Sequence, residues 1–329
     1  QYESILDEVG MKHKSLLAFY KFSVTELMDI QKVALIGAGS VGAYVLWGTE
    51  NIDITVLADA KRTNDLGSKG IVINGVCVHP KVKTFDEAEI YDLVILSTKY
   101  YALEEILPVL PKFVGKHTLV MSLLNGIDSE ERIATVIPRE NIVYSLIKIT
   151  SKRLGNVIYF DPQKTPGIFY GIPDVGEKNE QLFALENFFA KTKLKTTFSK
   201  DILSLLWQKY ALNISYNLPQ AILGVGLGAY RDSEFVANIQ RALAIEVASV
   251  ANSYGIYYDQ NLLNLSNIDP ETRYSTLQDL DAHRHTEIEM FLGVLLKKAL
   301  AKGLALPFSH YTYNLIRALE EKNDGKFNY

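Results

Sequence analysis

The feature that most constrains this chain is a glycine-rich turn set between an apolar run and a helix. Val33-Ala34-Leu35-Ile36 is wholly apolar and ends at Gly37-Ala38-Gly39-Ser40-Val41-Gly42. A short run that is apolar at every position suits a strand buried on both faces of a parallel sheet. Residues Val41–Trp47 then read as a helix. The first glycine permits a tight turn, the second lets a ligand approach the backbone, and the third lets helix and strand pack closely. The helix start offers unpaired N–H groups and a partial positive charge to a phosphate. Glycine spacing alone is weak evidence. Strand, turn and helix in this order point to a dinucleotide cradle, against the alternative of a structural turn that binds nothing.

The end of the next strand bears on which dinucleotide. Ile52–Leu57 reads as strand and runs into Ala58-Asp59-Ala60-Lys61-Arg62. Asp59 stands where an acid would bond the ribose hydroxyls of NAD, whereas Lys61 and Arg62 could meet the 2′-phosphate of NADP. A solvated loop is the remaining alternative. These residues leave NADP and NAD both open.

Further on, strand and helix alternate. Asp92–Thr98 and Thr118–Leu124 read as buried strands, with a helix over Leu103–Leu110 between them. Gly70–Val78 is β-rich and carries an Asn74-Gly75 hairpin turn. This alternation argues for a doubly wound α/β (Rossmann) sheet. Residues 142–198 are strand-rich, and after Ser199 the pattern turns to long amphipathic helices, Leu203–Ser215, Ser233–Tyr254, His285–Lys302 and His310–Asn323. The expected organisation is a helical N-terminal extension over 1–30, a dinucleotide-binding domain over 31–198 and a helical substrate domain over 199–329.

Composition narrows the class. The chain has 329 residues, 48% hydrophobic and 22% charged, with a formal net charge of −4. No basic excess drives phosphate-backbone binding, so nucleic acid is not an expected partner. The single cysteine, Cys77, excludes an intramolecular disulfide. Its apolar run, Ile71–Val78, makes a buried strand thiol the expectation. No stretch approaches the ~20 apolar residues of a membrane span, and the start lacks the pattern of a signal peptide. A cytoplasmic protein without membrane contact, monomer or homodimer, is expected.

The helix Trp207–Asn217 carries a polar ladder. Lys209, Asn213 and Asn217 recur at every fourth residue, which places them along one helical face. Asparagine is a poor helix-interior residue unless its amide has partners. Ser275-Thr276-Leu277-Gln278-Asp279 and His285-Thr286-Glu287-Ile288-Glu289 add a serine and acids. A lysine, amides, a hydroxyl and an acid suit a polar pocket, and no metal-ligand spacing is evident.

At these residues the chain resembles the ketopantoate reductases (2-dehydropantoate 2-reductases). The resemblance covers about residues 32–320. It rests on the glycine turn, Thr98-Lys99, Asn125-Gly126, the Lys209/Asn213/Asn217 ladder, Ser275–Asp279 and Thr286–Glu289. It implies a Rossmann domain followed by an all-α domain like the C-terminal domain of 6-phosphogluconate dehydrogenase. It also implies reduction of ketopantoate to (R)-pantoate, usually with NADPH, on the route to pantothenate and coenzyme A.

Carried over residue by residue, Lys209 stands where the family keeps its general acid, and Glu287 where an acid holds the substrate hydroxyl. Asn213, Asn217 and Ser275 match substrate-binding positions. Lys99 and Asn125 match positions around nicotinamide and substrate, joining Gly37 to Gly42, Asp59 and Arg62 as the cofactor set. The alternatives are a surface lysine for Lys209, a helix-surface glutamate for Glu287, a helix cap for Asn217, a loop lysine for Lys99 and a plain Asn-Gly turn at Asn125. Asp279 would either orient the lysine or cap a helix. The family often has an arginine close to where Asp59 falls, so this departure leaves NADPH and NADH both open. Rival functions are reduction of another 2-keto acid, a non-catalytic dinucleotide sensor, and a scaffold that binds no dinucleotide.

Overall fold

β1 (Val33–Ile36) takes the centre of a sheet because nothing in it is polar. None of its residues exceeds 1% exposure. The computed structural model describes residues 29–329 apart from 88, 176, 177 and 262. The helical extension expected over residues 1–30 thus falls almost wholly outside the described residues.

After β1 come α1 (Ser40–Gly48), β2 (Ile54–Ala58) and α2 (Ala60–Lys69). β3 (Ile71–Ile73), β4 (Val76–Val78), β5 (Lys81–Thr84) and β6 (Tyr91–Leu96) follow. Then come β7 (Val114–Ser122), β8 (Ile142–Lys148), β9 (Ser151–Leu154), β10 (Val157–Phe160) and β11 (Gly167–Gly171). α3 (Glu180–Ala190), inside a stretch read as strand-rich, leads to β12 (Thr196–Phe198).

Eight strands form the main sheet in the order β12-β11-β8-β7-β6-β1-β2-β5. Pairing is parallel from β5 across to β8, and β11 is antiparallel to β8. The chain leaves β1 towards β2 on one side and returns to β6 on the other. That reversal is the switch point where doubly wound sheets open a crevice beyond the carboxyl ends of their strands.

The remaining strands form a second sheet, β4-β3-β10-β9, which local patterning does not separate from the first. It packs on α1: Tyr44 and Trp47 meet Phe160 of β10 edge-on, at 5.4 and 5.6 Å between ring centres. With the main sheet on its other side, α1 is covered twice, so its sequence is apolar nearly all round rather than amphipathic. The Asn74-Gly75 turn forms the expected hairpin, with positive φ at both residues. Cys77, however, is exposed. The apolar run Ile71–Val78 is two strands, of which β3 turns into the core while β4 is the sheet's edge.

Contacts divide the chain into two compact units. One comprises the described residues up to Thr98, Glu104–Leu123 and Ile133–Lys200, and holds both sheets. The other comprises Lys99–Leu103, Leu124–Arg132 and Asp201–Tyr329. In this helical unit α4 (Ile202–Leu212) continues through a wide π turn, Asn213–Asn217, into α5 (Leu218–Leu223). The helix does not end at Pro219. A proline has no N–H to give, and its ring strikes the carbonyl one turn back in a regular helix; a wide turn just ahead accommodates both. α6 (Glu234–Ser253) and α7 (Ser275–Asp281) follow. A second π turn, Glu289–Gly293, leads into α8 (Val294–Ala301), and α9 (Pro307–Asn323) closes the unit. The helix expected from His285 starts at Ile288, so Glu287 lies just ahead of it. Trp207, Tyr210, Ile214, Val247, Phe291, Leu295 and Ile316 are among the residues of the unit's core.

Among the described residues no helix is long and apolar enough to cross a membrane. One buried carboxylate ties two long helices together. Glu246 of α6, 7% exposed, accepts from Phe308 N (2.9 Å), Ser309 N (2.7 Å) and Ser309 Oγ (2.6 Å) at the start of α9. Those N–H groups have no partner inside α9. Glu246→Ala is expected to cost about 3 kcal/mol, since charged hydrogen bonds are lost and buried donors stranded. Thermal unfolding should show it as a Tm lowered by roughly 10 °C.

Candidate active site

The glycine turn is built from backbone that side chains would block. Gly37 has φ +103°, and a Cβ there would stand 2.7 Å from the Ser97 carbonyl carbon at the end of β6. Ser97 Oγ donates to Gly37 O at 2.6 Å and fixes that approach. A Cβ on Gly42 would come within 2.1 Å of Gly37 O, so α1 lies against β1 only because this residue has none. At Gly39 a Cβ would meet just one described atom within 4 Å, Arg153 Nη1 at 3.6 Å. The turn therefore has room for a ligand over Gly39 itself. Ala38 is buried, while Ser40 and Val41 form the half-exposed first turn of α1, whose N–H groups lack partners one turn back. Thr98 Oγ1 is buried next to Gly37 and has no hydrogen-bond partner among the described residues. An open cradle with an orphaned hydroxyl beside it fits a polar, phosphate-bearing ligand.

Asp59 and Arg62 sit at the same end of the sheet. Asp59 caps α2, its Oδ1 accepting from Arg62 N at 2.8 Å. Arg62 Nη2 donates to Ala38 O at 3.1 Å, which brings the guanidinium onto the glycine turn. Arg153, on β9 of the second sheet, approaches from another direction. Local patterning offers no sign of it, because the second sheet is assembled from strands far apart in sequence.

In the helical unit Lys209 Nζ donates to Asn125 Oδ1 at 2.8 Å. Lys209 is half-buried near the end of α4. Asn213 is half-buried and opens the π turn, and Asn217 closes it in full burial. The fourfold spacing of the ladder therefore spans a change of helical pitch, and its members do not share one straight face. Asn217 is engaged across the unit: its Nδ2 donates to Ser275 Oγ at 3.4 Å and its Oδ1 accepts from Thr276 N at 3.2 Å. It does cap a helix, but the helix is α7, from 59 residues away.

Glu287 is not a surface glutamate. Its side chain is 9% exposed, and Oε1 accepts from Tyr100 N at 3.0 Å. Lys99 Nζ lies 3.5 Å from both Glu287 Oε2 and Asp279 Oδ2. Burial works against the Lys99 ammonium, yet the two carboxylates outweigh it and hold its pKa above the usual lysine value. Asp279 also takes Arg284, at 2.8 Å. Glu289, on the second π turn, is exposed and accepts from Tyr313.

Lys99 and Asn125 were expected on the dinucleotide domain, at the carboxyl ends of strands. Both follow such ends, but they cluster with the helical unit, where they meet Glu287 and Lys209. Sequence reasoning missed the residues that hold these groups. Tyr100 OH donates to Asp128 Oδ2 at 2.7 Å, and Arg132 lies 4.6 Å over the Tyr100 ring. Their one local sign is nearness: Tyr100 follows Lys99, and Asp128 stands two residues beyond Gly126.

Known proteins match along most of the chain. Residues 33–166 match the family model described as ketopantoate reductase PanE/ApbA, and residues 201–320 its C-terminal counterpart. A 2-dehydropantoate 2-reductase of Pyrococcus horikoshii is 27% identical over 311 residues, covering 89% of this chain and 99% of that protein. Among solved structures, a D-mandelate dehydrogenase with NADH and anilino(oxo)acetate has a TM-score of 0.78 at 23% identity, over 89% of this chain and 99% of that one. A PanE/ApbA family ketopantoate reductase from Ralstonia eutropha has a TM-score of 0.76 at 20% identity, with the same coverage. These two likenesses bear on the fold, a Rossmann unit followed by a helical one. The two family matches together take in more than half of the chain, and the protein belongs to the ketopantoate reductase PanE/ApbA family.

Proposed function

We propose that the protein reduces a 2-keto acid with NADPH, and that ketopantoate is the substrate. The observation that carries this reading is the pairing within one unit of a held ammonium, Lys209 on Asn125, with a held carboxylate, Glu287 on Tyr100 and Lys99. Ketopantoate needs both kinds of group: a donor at its keto oxygen and an acceptor for its hydroxyl. The cofactor supplies hydride to the keto carbon. Lys209 stabilises the charge developing on the keto oxygen and then gives it a proton from Nζ. Asn125 Oδ1 orients that ammonium. Glu287 accepts the substrate hydroxyl. Asn213, Asn217 and Ser275 hold the carboxylate; because Ser275 Oγ accepts from Asn217, its own proton is left to donate outward.

Gly37, Ala38, Gly39, Ser40, Val41 and Gly42 form the pyrophosphate cradle, and Lys99 and Asn125 serve the nicotinamide. Arg62 favours NADPH over NADH: its guanidinium is already on the glycine turn, and Asp59 spends one carboxylate oxygen on the α2 cap. The pantothenate and coenzyme A route, in the cytoplasm, follows as the biological setting.

A second reading keeps the chemistry and changes the acid. The D-mandelate dehydrogenase likeness and the presence of Asp59 favour reduction of another 2-keto acid with NADH. The test is loss of nicotinamide absorbance with each cofactor across a panel of 2-keto acids. Fastest turnover of ketopantoate supports the first reading; fastest turnover of an acid without a hydroxyl supports the second. Activity on none of them overturns both.

Lys209→Ala is expected to lower kcat at least ~100-fold, the scale for losing a general acid. Near-normal turnover in that variant removes the role given to Lys209. Arg62→Ala is expected to weaken NADPH binding about 10-fold or more and leave NADH binding unchanged, since one charge-assisted phosphate contact is lost. Fluorescence titration with both cofactors measures it, and equal loss for the two assigns Arg62 away from the 2′-phosphate.

A further inference from the structure

We propose that Asp128 and Tyr100 are a positioning pair for the Glu287 carboxylate. The inference rests on the reading of Glu287 as the acceptor of a substrate hydroxyl.

Tyr100 opens the short 3-10 turn Tyr100–Ala102, and no side chain caps that turn from the preceding residue, Lys99. Its N–H is one of the donors that a helical start leaves without an internal partner. Glu287 Oε1 takes it at 3.0 Å, so the carboxylate serves as the missing cap. Where that N–H points is set by where the Tyr100 residue sits. Two groups of one chain segment hold it: Asp128 Oδ2 accepts the phenol proton at 2.7 Å, and the Arg132 guanidinium, on the short helix Ser129–Ile133, lies 4.6 Å over the ring.

Asp128 is costly to keep. It is 9% exposed, and its second oxygen, Oδ1, is buried with no hydrogen-bond partner among the described residues. Burial pushes its carboxyl pKa up against the pull of Tyr100 and Arg132. A buried carboxylate with an unmet oxygen is destabilising. Its side chain holds the phenol that anchors the Glu287 cap. The same segment, Leu124–Arg132, which runs into the short helix Ser129–Ile133, carries Asn125, which orients Lys209. A single segment therefore has a handle on each of the two proposed substrate-handling groups: a direct one through Asn125, and an indirect one through Asp128 and Tyr100.

The bland alternative is packing, since Tyr100 also lies against the helical unit's apolar core. Tyr100→Phe separates the two, because it keeps the ring and the N–H and removes only the hydroxyl, with its bonds to Asp128 and Arg132. The test uses the full chain, the 2-keto acid it reduces fastest, and saturating cofactor. Tyr100→Phe and Asp128→Asn are expected each to raise KM for the keto acid about 10-fold, with kcat within about 2-fold and cofactor Kd unchanged. The double variant should be no worse than the worse single one. In a Glu287→Gln background Tyr100→Phe should have no further effect on KM. A Tyr100→Phe variant with wild-type KM, or one whose loss persists undiminished beside Glu287→Gln, overturns the pair while leaving the proposed reaction standing. A wild-type protein that reduces no 2-keto acid overturns the proposed reaction, and this inference with it.

Discussion

The closeness of α1 to β1 is the constraint on which the Rossmann unit depends. It exists because position 42 has no side chain: any Cβ there would stand 2.1 Å from the Gly37 carbonyl oxygen. A helix held that near brings its N-terminal N–H groups to the carboxyl ends of β1 and β6, where the chain reverses direction across the sheet. It also leaves α1 short of polar cover, and the second sheet supplies apolar cover in its place through Phe160. The second sheet in turn places Arg153 beside Gly39. One missing methyl group thus governs the cradle, the layer outside it and the cation above it.

How much of this was legible in the sequence depended on range. β1, β2 and β6 announce themselves as apolar runs because burial on both faces is a local demand, and Asn74-Gly75 announces its hairpin because few residues adopt positive φ. The second sheet does not announce itself. β3 pairs with β10 across a long stretch of the Rossmann unit, and that pairing decides that Ile71 and Ile73 are inside while Cys77 is outside. Apolar character alone could not separate the two strands. α3 was hidden for a similar reason, its apolar residues lying in a stretch dominated by strands.

The candidate site divides the same way. The glycine turn and Lys209 were readable from motif and resemblance. Their partners were not. Lys99 and Glu287 are 188 residues apart, and Lys209 and Asn125 are 84 apart. The fourfold spacing of Lys209, Asn213 and Asn217 was a true periodicity laid on a helix that changes pitch halfway. A helix cap was one expectation for Asn217; its own helix runs on through Pro219, and the amide caps α7 instead.

The two π turns have a consequence for how this chain tolerates change in length. Each amounts to one extra residue threaded into an otherwise regular helix, at Asn213–Asn217 beside Lys209 and at Glu289–Gly293 beside Glu287. Removing one residue from either would restore ordinary pitch and turn everything downstream by about 100° about the helix axis. Side-chain replacements there alter one contact at a time. A single-codon deletion would re-aim a whole helix face, so these two short stretches should bear substitution far better than they bear shortening.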